Sequence, residues 1–360
     1  MRRWCGLLVL AVLIAACGGG GGGGDGGSNP PPIQTLYVRA TGNDDNDGLT
    51  PATAFKTVAN AALQLKPGRT IYVGPGRYRG RVQIAGVDGS AAKPGRIIAD
   101  PTGERTGDAP GDVILDGAGE LFAVRIQNAP FITIDGFIIT GAQDAPDATA
   151  SAVRVQGASA NATIQHCVIN NGRPVDGIRI EGASDALIFN NLIVDNNAGV
   201  VIRGRAPRAQ VINNTIANNA SFGIRIVASR TDAPTDATLR NNIVEDSGNN
   251  VSIDVDTGPP SAVDSYSGDF NLAFVAVLGD QATTYRPANI RGPHDVNLEA
   301  GFVDPTAGDF HLGDESPAID AGSGAIDHEL LDQLLQRTSA ESGALDAPPV
   351  DLGYHYPASL

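Results

Sequence analysis

Tryptophan, lysine and cysteine are nearly missing from this chain, and each shortage excludes something. The single tryptophan is Trp4, inside the segment 1–16 that reads as a signal, so no tryptophan platform is left for stacking on sugars. Tyr37, Tyr72, Tyr78, Tyr266 and Tyr285 are the substitutes. The lysines are Lys56, Lys66 and Lys93, all upstream of the regular central segments, which rules out a lysine base there. Arginine remains, with a pKa too high for easy proton abstraction. Of the cysteines, Cys5 and Cys17 lie near the start, and Cys167 is left without a partner for an intrachain disulfide. With no Cys/His cluster around it, Cys167 reads as a packing residue. Positive charge is short as well: 25 Lys and Arg stand against 40 Asp and Glu, a net charge of -15 that repels nucleic acid. Nor is there a long hydrophobic run, since the stretch Leu7 to Ala16 is too short to span a bilayer.

What is present is a repeat. The rows VRIQNAPFITIDGFIIT, VRVQGASANATIQHCVIN, IRIEGASDALIFNNLIV, VVIRGRAPRAQVINNTIA and IRIVASRTDAPTDATLRNNIV each hold three short apolar strands, the last two joined by a tight turn. Their step of roughly 22 to 30 residues is that of a solenoid coil that buries a core shared with its neighbours. Runs such as Val-Arg-Ile alternate with period two, and no coil has room for two amphipathic helices, so each strand pairs with its equivalent one coil away. Gly136, His166, Asn190, Asn213 and Asn241 share the turn column. Asn tolerates left-handed backbone angles, and Asn190, Asn213 and Asn241 are expected to stack as an internal asparagine ladder. His166 is expected to replace Asn as a turn side chain.

This layout resembles the right-handed parallel β-helix of the pectate-lyase-like superfamily, in which an Asn-bearing turn joins the second and third sheets. The expected fold is all-β, a three-sheet solenoid with a short N-terminal capping helix. The resemblance places the Val-Arg-Ile strands in the first sheet, on which related lyases bind substrate. There the apolar pair of each strand points inward and the middle residue outward. Arg125, Arg154 and Arg179 then stack at steps of about 4.8 Å, Val201 interrupts before Arg225, and Arg203 lies two residues along on the same side. Such a stripe suits an acidic polysaccharide. The alternative is that these arginines pair with acids such as Asp176 and Glu181.

The ends carry further resemblances. Arg2, Arg3, a short apolar segment and Ile14-Ala15-Ala16-Cys17 resemble a bacterial lipobox, so residues 1–16 read as a signal and Cys17 as the lipidated first mature residue. Residues 17–35 form a Gly- and Pro-rich tether, and 36–360 the β-helix domain. In a Gram-negative source, the residue after Cys17 fits outer-membrane sorting, toward the periplasm or the cell surface. The segment Tyr37 to Gly80 resembles the N-terminal signature of bacterial extracellular β-helix proteins, with Phe55, Val58, Ala62 and Leu65 on one helical face. SGDFNLAF, GFVDPTAGDFHL, SPAIDAG and DLGYHY resemble the terminal segment of choice-of-anchor Q surface proteins. Between them, Ile326, Leu330, Leu331, Leu334 and Leu335 predict a packing or capping helix. No cofactor is expected. The tract Asn43 to Gly48 has the oxygens of a calcium loop, but Ala54 stands where an EF-hand needs Glu, and Asx turns are the expected reading.

Catalysis has little to stand on. A lyase needs a group that neutralises the uronate carboxylate, often calcium, together with a base. A hydrolase needs two carboxyl groups facing one cleft. Asp176, Glu181 and Asp195 are scattered rather than paired by motif, and catalytic residues stay unassigned. The reading is an exported, lipid-anchored protein that binds an extracellular or cell-wall polysaccharide through Arg125, Arg154, Arg179, Arg203 and Arg225. A lyase or hydrolase of the same superfamily, and a purely structural or adhesion module, are the alternatives.

Overall fold

The computed structural model describes residues 35–144, 150–172, 175–227, 236–245, 251–255, 266–275 and 283–358. The signal, the lipobox cysteine Cys17 and nearly all of the tether lie outside them. The described chain is a right-handed parallel β-helix in which successive strands pass from the first sheet to the second to the third and back. The first sheet runs from Val82–Ala85 to Thr283–Arg286, the second from Leu36–Val38 to Ser267–Asp269, and the third from Gly76–Arg79 to Leu272–Phe274. All neighbours within these three sheets are parallel. The expected registers hold: Val124, Val153, Ile178, Val200 and Ile224 stack in one column, and Ile134, Ile164, Ile188, Val211 and Leu239 in another. Every one of these ten side chains is buried. Each inward aliphatic contributes about 1.5–3 kcal/mol by leaving water, so the coils are stabilised by columns that alternation alone creates.

The expected column forms one rung, Asn241 Nδ2 donating to Asn213 Oδ1 (3.1 Å), and the continuous asparagine ladder lies one residue further on. The column of Gly136, His166, Asn190, Asn213 and Asn241 has positive φ throughout, from 49° to 82°. That left-handed step turns the chain between the second and third sheets and aims its own side chain outward. The next residue points in. Asn191 Nδ2 donates to Asn214 Oδ1 (3.0 Å), Asn214 to Asn242 (3.0 Å) and Asn242 to Asn271 (2.9 Å). Each also donates to core carbonyls, as Asn214 does to Ile188 O and Ile212 O. At the end of the row Asp295 accepts from the Asn271 backbone N–H, the Tyr285 hydroxyl and Gly292 N–H. A second ladder, not anticipated, runs along the turn from the third sheet to the first: Asn171 donates to Asn196 (3.3 Å) and Asn196 to Asn219 (3.3 Å). It follows the same rule, since Asp195 and Asn218, just before its members, have φ of 55° and 56°. Beside it the chain comes so close that a Cβ on Gly199 would stand 2.3 Å from Ile216 Cγ2.

At the N-terminal end helix α1 (Val58–Leu63) buries Val58 and Ala62 as expected, whereas Phe55 and Leu65 are buried from outside the helix, Phe55 in a bridge to Val38. It packs over Val82–Ala85, the edge strand of the first sheet, and thereby covers an open end. The acidic tract before it forms turns and caps: Asp44 accepts from Lys56 N–H and Thr57 N–H, and Asp47 from Leu49 N–H and the Thr53 hydroxyl. The last coil is SGDFNLAF, and residues 300–357 then run back along the outside of the solenoid. Phe310 and Tyr354 pack on Leu192, Val194 and Ala217 of the third sheet. Helix α2 (His328–Leu334) sets Leu334, Leu330 and Ile326 against Phe189 and Ile212 of the second. The predicted helix is therefore a packing helix on the flank of the solenoid. The outward asparagines seat this strap. Asn190 donates to His355 O and accepts from its N–H, Asn213 donates to Asp351 O, and Asn241 makes both bonds to Ser323.

Candidate functional site

The strap occupies the second and third sheets, and the outer face of the first sheet is where the arginines emerge. Strand pairing stacks Gln83, Arg125, Arg154, Arg179, Val201, Arg225, Asp254 and Arg286 in one column, with Glu181, Arg203 and Val227 two residues along. The predicted row is thus in register, but its members differ in what they offer. Arg179 is 5 % exposed and donates to Glu181 Oε1 (2.7 Å) and Asp176 Oδ2 (2.9 Å). Arg154 shares Glu181 at 2.5 Å. Burial alone would raise the Glu181 pKa, and the two guanidinium groups outweigh it and hold the carboxyl below the ordinary glutamate range. For Arg154 and Arg179, pairing with neighbouring acids is what the structure has. Arg125 lies over the Phe122 ring, 5.4 Å from its centroid.

Arg203 and Arg225 are different. They border a hollow of about 290 Å³ together with Arg179, Val201, Asn197 and Phe222. Val201, the residue that breaks the arginine column, is its apolar floor. Arg203 is exposed, and its side chain makes no hydrogen bond or ion pair among the described residues. The Arg225 side chain is 42 % exposed, its Nε 3.1 Å from Asp254 Oδ2 but without the angle of a hydrogen bond, and its guanidinium 4.6 Å from the centre of the Phe222 ring. Below them, the Ser221 hydroxyl donates to Asn197, whose amide donates to Asp176 Oδ1. Phe222 was not singled out from sequence, although it lies three residues before Arg225 at the start of the same strand.

The carboxylates on this face are engaged. Asp176 is occupied by Arg179 and Asn197, and Glu181 by Arg154 and Arg179. They do not fit a calcium ion, and among the described residues no three His, Cys, Asp or Glu side chains converge. Cys167 is buried, with its thiol pushed up to about 12 chiefly by desolvation, which removes it as a nucleophile. His166 is a turn residue with φ of 54°, as expected, and lies under the strap rather than on the first sheet.

Comparison with known proteins agrees with this architecture. The description of a right-handed beta helix region matches residues 121–264. A crystal structure of alginate lyase from Paenibacillus sp. is similar, with a TM-score of 0.50 and 16 % identity over 73 % of this chain and 97 % of that one. Pectate lyase Pel9A has a TM-score of 0.45 and 15 % identity over 89 % and 95 %. No curated protein sequence matches the chain. At such identities the likeness is one of fold. The chain is a right-handed parallel β-helix, and its likeness to the alginate lyase is a likeness of fold.

Proposed function

We propose that the protein is exported, held at a membrane by lipid on Cys17, and binds an acidic extracellular or cell-wall polysaccharide along its first sheet without degrading it. The observation that carries this reading is the pair Arg203 and Arg225 over the apolar floor of Val201. A guanidinium forms paired, charge-assisted bonds to a carboxylate, and the Phe222 ring supplies an apolar face for a sugar beside it. Repetition along the solenoid suits a chain-like ligand. The alginate lyase of the same fold is named for an acidic polysaccharide, in keeping with this reading.

A lyase or hydrolase is the second reading, and the engagement of Asp176 and Glu181 argues against it. Polygalacturonate and alginate incubated with the protein, with and without calcium, are expected to release no unsaturated or reducing ends. A glycan array is expected to retain acidic chains. Release of ends would make the protein an enzyme, and an array without signal would leave a structural or adhesion module. For the anchor, Cys17→Ser is expected to free the protein from membrane fractions and abolish acyl labelling; unchanged retention would contradict it. The outer-membrane location and the choice-of-anchor Q character of the strap belong to the same proposal.

A further inference from the structure

A second hollow, away from the first sheet, has the parts of a ligand site. It lies where the strap crosses the turn column, with His166, Gln333, Gln336 and Arg337 on its walls and a volume of about 340 Å³. His166 stands where other coils carry Gly or Asn. Its Nδ1 is 2.8 Å from Asp135 Oδ1, and its ring meets the Phe189 ring edge-on at 5.7 Å. With Asp135 accepting, the proton is assigned to Nδ1 and Nε2 carries a lone pair. The side chain is 7 % exposed, and Nε2 is buried without a hydrogen-bond partner. Burial first, and Arg337 with it, lower the His166 pKa against the pull of Asp135, which keeps the ring neutral at pH 7. The second unmatched group is Arg337. Its guanidinium is part-buried and has no hydrogen bond or ion pair among the described residues, with Asp135 and Tyr354 as its titratable neighbours.

The buried His166 Nε2 without a partner is costly, and a part-exposed guanidinium without an ion partner among the described residues borders the same hollow. A ligand carrying a hydroxyl next to a carboxylate would satisfy both. We propose that this hollow binds a hydroxycarboxylate of the sugar-acid kind. Its carboxylate pairs with Arg337, its hydroxyl donates to His166 Nε2, and the amides of Gln333 and Gln336 meet the remaining oxygens. A neighbouring hollow of about 280 Å³, between α2 and the second sheet, shares Gln333 and adds Thr133, Thr163 and Gln165, so further hydroxyls have polar partners. None of these residues is on the first sheet, and the proposal stands or falls separately from the arginine groove.

The experiment is calorimetric titration of the full chain with galacturonate, compared with galactose, acetate and sulfate. Galacturonate is expected to bind at least about tenfold more tightly than the other three, because each of them lacks the hydroxyl, the carboxylate or both. His166→Asn keeps a side chain that the turn column already uses, and is expected to weaken galacturonate about tenfold without loss of fold. Arg337→Gln should weaken it at least as much, with the melting midpoint checking that the strap stays seated. The titrations are made in the Arg203→Ala, Arg225→Ala background as well as in the parent, so that carboxylate binding on the first sheet is removed and the signal that remains belongs to this hollow. Equal affinity for sulfate, acetate or galactose, indifference to His166→Asn, or no binding of galacturonate left in the Arg203→Ala, Arg225→Ala background would each overturn the proposal.

Discussion

The outer face of the first sheet and the corner between the second and third are built from the same coils, yet one is open and the other is covered. At the corner, left-handed Asn190, Asn213 and Asn241 offer amides that seat a backbone, and the strap takes them. On the first sheet the outward positions hold guanidinium groups, and only those near an acid are satisfied from within. The difference teaches that outward side chains with hydrogen bonds for a peptide recruit the chain itself, whereas an excess of one charge leaves Arg203 unpaired among the described residues and Arg225 sharing one carboxylate, Asp254, with Arg286.

The comparison can be broken first at the ladders. Asn214 has bonds to Asn191, Asn242, Ile188 and Ile212, all buried. At about 1–3 kcal/mol per unsatisfied buried group, Asn214→Ala should cost at least about 3 kcal/mol in urea unfolding. Asn213→Ala loses only its bonds to Asp351 and Asn241 and should cost about half as much. Equal costs, or the reverse order, would mean that inward and outward asparagines are not distinct. Next comes the strap. Leu334 is fully buried against Phe189 and Ile212, and Leu334→Ala should cost about 2–3 kcal/mol. Hydrogen exchange should quicken across residues 320–356 while the strands Asp176–Glu181 and Ala198–Arg203 keep their protection. Loss of protection in both regions would make the strap part of one cooperative unit with the coils.

A smaller effect concerns pH. His166 has a pKa below its ordinary 6.5 in the folded chain, chiefly through burial. The unfolded chain therefore takes up the proton first, and the stability held above pH 6.5 is lost as pH falls toward the folded value. The stability of His166→Asn should fall less than that of the parent between pH 7 and 5; parallel profiles would show that His166 does not titrate in this way.

The coils were legible because alternation and spacing are local: the strand registers, the α1 face and the arginine column follow from residues within one step of the repeat. The ladder was misplaced because Asn190-Asn191, Asn213-Asn214 and Asn241-Asn242 are twins, and the residue types alone do not say which twin turns and which points inward. Phe137 and Cys167 held the answer. They precede Asn191 in the inward column, and an apolar residue there marks the column as facing the core. The strap could not be read, since its contacts join residues 82 to 165 positions apart and no pattern spans them. The uneven worth of the arginines was half legible. Asp176 and Glu181 were visible as partners for Arg179, but the seclusion of Arg179 and the exposure of Arg203 depend on how neighbouring coils pack.

The central claim is that the open face of the first sheet binds acidic chains through Arg203 and Arg225. Affinities for polygalacturonate, alginate and a neutral glycan should be measured for the parent and for the Arg203→Ala, Arg225→Ala double variant across a salt series. The account predicts that the parent binds the acidic polymers more weakly as salt rises, and that the double variant loses about tenfold or more at low salt with a shallower salt dependence. Equal affinity of parent and variant for every acidic polymer, or parent affinity indifferent to salt, would contradict it.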